Sequence, residues 1–254
     1  MDGAIGGPVR FWTEHDRDAG WAWAEEPTWL ELCIDAGDPH ATDVAREAVA
    51  WFLAEAPDDV PARTMVLDDE HLLLEVLAEA DFLPEDGPFF VHHHLDLERI
   101  PPVRDVPCFR LKPVRACDAT PRAACHRVAW SSPEHPSRVT TTSYAAVMAT
   151  PPYRPDLDWV AVAADGAWVA SCLVWLDTAT GVALVEPVGC APEHRRRGLA
   201  AAVSLAALRA ARDAGATRAL VCPRGDRAYP GPMALYQGLG FEPGERTVTL
   251  VREP

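Results

Sequence analysis

The 254-residue chain has one lysine, Lys112, among its 23 basic residues. Lys112 lies in F-R-L-K-P-V, so no G-x-x-x-x-G-K-[ST] phosphate loop can be built. G-x-G-x-x-G is also absent, which removes the usual dinucleotide fingerprint, and without G-x-S-x-G there is no nucleophile elbow for a serine hydrolase. No apolar run is long enough to span a bilayer, and Met1-Asp2-Gly3-Ala4 lacks the basic start of a secretory leader. The seven cysteines are odd in number and form no C-x-x-C pair, so reduced thiols and a cytoplasmic setting are expected. Arginine in place of lysine and frequent alanine suggest a bacterial, high-GC source.

Charge is unevenly placed. Residues 1–105 hold 25 acidic and 6 basic residues, net −19, whereas residues 106–254 hold 13 and 17, net +4. The second part suits an anionic ligand and the first repels one. No nucleic-acid partner is expected, because a polyanion would meet the acidic first part and no basic aromatic patch exists. No membrane partner is expected either.

The Pro-rich stretch E-R-I-P-P-V-R-D-V-P at 98–107 breaks both periodicities, which places a domain boundary at 105/106. Beyond it the pattern predicts a strand at 108–114 and a helix at 119–130, with Asp118 as N-cap and Pro121 in the first turn. A loop at 131–138 and a helix at 143–149 follow, then strands at 159–163 and 168–176 around an Asp165-Gly166 hairpin. A strand at 181–189, a helix at 199–214, a strand at 218–222, a helix from Met233 with Pro232 in its first turn, and a strand at 247–251 complete the domain. This is an α/β chain with a mixed sheet. The first part predicts strand 29–34, helix 43–54, strand 64–67, helix 70–80 and strand 89–95, an order that echoes the end of the second part. Trp12, Trp21, Trp23 and Trp29 are expected in the first domain's core or at a domain interface.

The most informative stretch is R-R-R-G-L-A at 195–200, between the 181–189 strand and the 199–214 helix. A strand that turns sharply into a helix leaves backbone N–H groups unpaired at the positive helix end, a seat for phosphate oxygens. Gly198 permits close approach, Ala200 keeps the first turn thin, and Arg195, Arg196 and Arg197 add positive charge. Two further motifs accompany it: V-G-C-A-P-E-H at 188–194 upstream and A-L-Y-Q-G-L-G-F at 234–241 downstream.

Together these residues resemble the GNAT superfamily of N-acetyltransferases, over roughly residues 108–253. The resemblance implies the GNAT acyl-CoA N-acyltransferase fold, with acetyl-CoA as co-substrate and no metal. It places the cofactor along Val188, Gly189 and Cys190 and onto Arg195, Arg196, Arg197, Gly198, Leu199 and Ala200. Pro187 would be tolerated because this strand bulges and diverges in that fold. Glu186 is implied as general base, a role that needs burial to raise its pKa, with pairing to an arginine as the equal alternative. Tyr236 is implied as proton donor to the leaving thiolate.

Family members often carry an Asn two turns before that tyrosine; here the stretch is A-Y-P-G-P at 228–232. Trp130, Glu134, His135 and Tyr144 are candidates for holding a small-molecule amine, or an ordinary polar loop. The first part is expected to be a smaller, degenerate GNAT-like domain in a tandem arrangement, without a cofactor site. Its corresponding turn is D-P-H-A-T at 38–42, where an aspartate would cap the helix and oppose a diphosphate. It would shape the acceptor pocket in a monomer or homodimer. Two other functions fit the same motifs: a catalytically silent acyl-CoA-binding or regulatory protein, and a peptide or protein N-acetyltransferase. His92, His94 and Asp96 share one strand face, but with no second ligand pair no metal is expected.

Overall fold

The computed structural model describes residues 6–14, 17–25, 28–132 and 134–254. Met1–Ala4, on which the reading of the N-terminus rests, and Pro133 of the 131–138 loop lie outside them. The first half runs β1 (Val9–Glu14), β2 (Arg17–Glu25), β3 (Trp29–Ile34), α1 (Ala41–Glu55), β4 (Ala62–Leu67), α2 (His71–Glu79), β5 (Leu83–Pro84) and β6 (Val91–Asp96). The second runs β7 (Phe109–Pro113), α3 (Ala119–Trp130), α4 (Thr141–Met148), β8 (Asp158–Ala163), β9 (Trp168–Asp177) and β10 (Val182–Cys190). It ends with α5 (Leu199–Asp213), β11 (Arg218–Val221), α6 (Gly231–Gly238) and β12 (Glu242–Arg252).

The chain forms two compact units, Met1–Val91 with Glu245–Pro254, and His92–Gly244. The division differs from the expected 105/106 boundary because the last strand of each sequence half belongs to the other half's unit. In the second unit β6 pairs antiparallel with β11, Leu95 opposite Ala219. In the first, β12 pairs antiparallel with β4, Thr249 opposite Met65. A Pro-rich stretch marks where periodicity stops, whereas strand pairing decides which unit holds the residues before it.

Both units repeat one motif: an antiparallel hairpin, a third strand, a helix, and a fourth strand parallel to the third. In the first unit β1 pairs β2, β2 pairs β3, and β3 runs parallel to β4 through Trp29–Arg63 and Leu30–Thr64. In the second, β8 pairs β9, β9 pairs β10, and β10 runs parallel to β11 from Val182–Arg218 to Leu184–Leu220. The parallel connections pass through α1 and α5, each packed on its own sheet.

The second unit has β7, α3 and α4 in addition. Alternation along β8 sends Trp159, Ala161 and Ala163 to the core beneath α5, and Val160 and Val162 to a smaller cluster with Met148 of α4. Its sheet is thus covered on both faces. Among the described residues the first unit has one core, in which Val44, Ala45, Ala48, Val49 and Phe52 of α1 meet Trp12, Ala22, Ala24 and Leu30.

Several local expectations need correction. The β1–β2 hairpin is absent from the sequence reading, because W-A-W-A alternates large with small apolar residues rather than apolar with polar. Of the four tryptophans assigned to the core or an interface, Trp12 is buried, Trp23 and Trp29 are half-buried, and Trp21 is exposed. Asp118 holds the N-cap position of α3 without capping it by its side chain. Its carboxylate instead accepts from Arg115 Nη2 at 2.9 Å, from the Arg115 amide at 3.1 Å and from Lys112 Nζ at 3.3 Å. Those hydrogen bonds hold it well below the usual carboxylate range against the opposing cost of burial. Helix α4 starts before Ser143, since Thr140 and Ser143 form a reciprocal capping box.

Candidate active site: the diverging strands and the start of helix α5

β10 and β11 are paired only as far as Leu184 and Leu220. Past that point β10 continues to Cys190, and its register against β9 shifts between Val185 and Val188. Val185 faces Val174 and Val188 faces Cys172, so one extra residue sits on β10, the mark of a bulge. Pro187, which has no N–H to give a ladder, occupies that bulge as expected. The Glu186–Pro187 peptide is cis. Indole Nε1 of Trp175 donates to the Glu186 carbonyl at 2.8 Å and holds the bulge in place.

The orientation of the β10 backbone follows from one bond. The Ala191 amide donates to the Val169 carbonyl at 2.8 Å, across to β9. Strand alternation therefore turns the amide and carbonyl groups of Val188 and Cys190 to the opposite side, where β11 has already departed. These are the two residues at which a ligand's amides can add to the strand. Gly189 between them is required by packing, since a Cβ there would lie 2.8 Å from both Ala129 Cβ and Trp130 Nε1.

After β10 a short 3-10 turn, Pro192–His194, leads into R-R-R-G and then α5. Arg196 has φ +63° and Gly198 φ +78°, both left-handed. At Gly198 a Cβ would meet nothing within 4 Å, so the glycine serves conformation and open approach rather than packing. No side chain caps α5 and no acidic residue lies in its first turn. The intrahelical ladder begins with the Ala202 amide on the Gly198 carbonyl, 2.9 Å. The amides of Leu199, Ala200 and Ala201 precede it at the positive end of a 15-residue helix.

The three arginines differ. Arg195 Nε donates to the Cys190 carbonyl and its Nη2 to the Ala129 carbonyl, both at 3.2 Å. It ties the end of α3 to the end of β10, so its guanidinium shapes the turn. Arg196 and Arg197 are exposed beside Gly198. Leu199 is buried under the first turn, and Ala200 is half-buried.

Tyr236 on α6 is buried, edge-on to Phe241 at 5.7 Å. Burial, then the Cys172 thiol, the Glu186 carboxylate and the Cys222 thiol, all push its phenol above the ordinary tyrosine value. The structure thus brings Glu186 and Tyr236 within electrostatic reach of one another. Cys172 is pushed up to about 12 and Cys222 to about 11, chiefly by burial, so both thiols stay protonated. Glu186 itself is exposed, so the chain does not supply the burial that a base role demands.

Among the acceptor candidates, Trp130 is half exposed, stacks on His126 at 5.8 Å and covers Gly189. Glu134 and His135 lie exposed on the loop between α3 and α4. Tyr144 does not belong with them. It is buried, and its hydroxyl donates to Asp158 Oδ2 at 2.6 Å. Arg122 Nε reaches the same carboxylate at 2.8 Å and Tyr153 hydroxyl at 3.1 Å. Arg122 and Asp158 are fully buried, so the network pins α3 and α4 to β8 from inside. Sequence reasoning missed it, since partners 36 residues apart leave no local pattern. It also missed Trp175, whose indole serves backbone.

Among the described residues no group of three or more His, Cys, Asp or Glu side chains is arranged to hold a metal, and no helix is long and apolar enough to cross a membrane. The seven cysteines are free thiols.

Residues 124–241 match the model of the acetyltransferase (GNAT) family. The fold is similar to that of a GCN5-related N-acetyltransferase from Sphaerobacter thermophilus, 18% identical, with TM-score 0.67 over 94% of this chain and 78% of that one. A tandem GNAT protein from the clavulanic acid biosynthesis pathway is 19% identical, with TM-score 0.66 over 95% and 81%. A GNAT-family acetyltransferase from Colwellia psychrerythraea is 12% identical, with TM-score 0.67 over 97% and 86%. At such identities the likeness is one of fold. No curated protein matches the sequence. The matched segment runs from α3 through β10, the R-R-R-G turn and α5 to Phe241, and over that segment the chain matches the acetyltransferase (GNAT) family.

Proposed function

We propose that the chain transfers an acetyl group from acetyl-CoA to the primary amine of a small molecule, directly and within a ternary complex. The observation that carries this reading is the uncapped start of α5 beside the gap between β10 and β11. A diphosphate satisfies the amides of 198–201 and meets the exposed Arg196 and Arg197, while an extended arm with amide groups completes β10 at Val188 and Cys190. Acetyl-CoA supplies an activated thioester. The chain's residues do the rest: the Val188 amide polarises the thioester carbonyl, Glu186 or a water it holds takes the proton of the attacking amine, and Tyr236 protonates the departing thiolate. The burial that Glu186 lacks comes, in this reading, from the bound acceptor. A phenol with its pKa raised remains a proton donor throughout the neutral range. Free thiols throughout the chain fit a reducing, cytoplasmic setting.

The test joins calorimetric titration with acetyl-CoA to an assay of thiol release across a panel of small primary amines. Binding plus amine-dependent release supports the reading. Binding without release from any amine marks a silent acyl-CoA-binding protein, and release only with peptides marks a peptide transferase.

A further inference from the structure

The first unit has a bare sheet face. Helix α1 covers the side carrying Trp12, Ala22 and Ala24, and among the described residues no counterpart of α3 or α4 covers the other. Strand pairing sets Phe11 opposite Trp21 and Val9 opposite Trp23, so these four share the uncovered face of the β1–β2 hairpin. Phe11 is 63% exposed, Val9 49% and Trp21 37%. On β3, Glu31 stands opposite Trp23 on that face. Strand β1 is also the end of the sheet, so among the described residues its outer backbone edge has no strand beside it. An exposed edge next to exposed aromatics is the arrangement soluble proteins generally guard against.

Charge selects the occupant. Residues 1–91 and 245–254 contain 24 acidic and 6 basic residues, net −18. Two such units brought edge to edge repel each other, and an acidic or neutral strand gains nothing from the field. A strand bearing lysine or arginine gains on both counts, because its charges meet the acidic unit and its aliphatic stems lie over Phe11 and Trp21. We propose that β1 accepts an extended cationic peptide segment as an added strand, held by main-chain hydrogen bonds and by the Val9–Phe11–Trp21 face. This does not depend on acetyl transfer, because it concerns the first unit alone.

The test uses three fluorescein-labelled ten-residue peptides with the full-length protein: alternating Lys and Val, the same sequence with alternate Val replaced by Pro, and alternating Glu and Val. Anisotropy is expected to show the Lys–Val peptide binding at least tenfold tighter than its proline counterpart, which has equal charge but lacks an N–H group at every fourth residue. The Glu–Val peptide is expected not to bind. Phe11→Ser and Trp21→Ser should each weaken Lys–Val binding about tenfold. The double variant Asp58→Asn/Asp59→Asn, which alters exposed charge elsewhere in the first unit, should change it less than twofold. Unchanged melting temperatures guard against unfolding. Equal affinity for the proline peptide, or full binding by Phe11→Ser, overturns the proposal as plain charge attraction. A concentration-dependent dimer in sedimentation, abolished by Phe11→Ser, overturns it in favour of a second copy.

Discussion

The two strand-to-helix turns of this chain have the same place in the repeated motif and opposite chemistry. After β10 the turn is A-P-E-H-R-R-R-G, and α5 starts with no side-chain cap and no acid in its first turn. After β3 it is D-A-G-D-P-H, in which Asp35 Oδ1 accepts from the Gly37 amide and Asp38 Oδ1 from the His40 amide. Asp43 then lies in the first turn of α1. The expected aspartate cap is thus an Asx turn at Asp38, two residues before the N-cap position that His40 holds, but the consequence for a phosphate is the same: carboxylates stand where an anion would have to approach. One architecture serves as an anion seat or as a closed structural turn according to the residues before the helix.

The covered and bare sheet faces make a second contrast, and it carries the largest expected effect. Asp158→Ala leaves the buried Arg122 without its partner and frees two tyrosine hydroxyls in the interior. It should cost about 3–5 kcal/mol of stability, read as a lowered thermal midpoint. A midpoint unchanged within error would mean that α3 and α4 are held by apolar packing alone. Next is Gly198→Asp, which gives the α5 turn the charge of the α1 turn at a position with open space around it, at some cost in strain for the left-handed backbone. Coenzyme A affinity should fall by about 30-fold, from about 2 kcal/mol of unfavourable charge at the helix end, with the fold retained by circular dichroism. Unaltered affinity would place the ligand elsewhere.

Tyr236→Phe should lower kcat on the order of 100-fold while changing coenzyme A affinity less than twofold. Because the phenol is pushed above its usual value near 10, the wild-type rate should show no decline attributable to Tyr236 between pH 8 and about 10. A limb in that range lost in the phenylalanine variant would contradict the assigned shift. Arg197→Ala, removing an exposed charge, should weaken coenzyme A binding about 2- to 5-fold, and less at high salt. Asp38→Ala should change it not at all, because the first turn is no part of the seat.

Much of this was legible in the sequence, for identifiable reasons. The R-R-R-G-L-A turn and Pro232 in the first turn of α6 are local features, set by residues within one turn of each other, while the bulge at Pro187 is what the resemblance implies. Helix α3 is legible to the residue because Asp118 before it, Pro121 in its first turn and the loop from 131 are also local. What escaped depends on partners far apart in the chain. The exchange of last strands is decided by pairings such as Leu95 with Ala219, and the role of Tyr144 by an aspartate 14 residues on and an arginine from another helix. The bond from Arg195 to the Ala129 carbonyl leaves no local pattern either, since only folding brings a group 66 residues away within its reach. The hairpin at 9–25 escaped for a different reason: its outward face is as apolar as its inward one, and that face is the surface assigned here to a partner.

The most direct measurement is an amide-resolved NMR titration of the isotope-labelled protein with coenzyme A. The account predicts the largest shifts at the amides of 198–201, further shifts at Val188 and Cys190, and none at the amides of 40–44. Shifts centred on the α1 turn, or a saturating titration that leaves 198–201 unmoved, would contradict it.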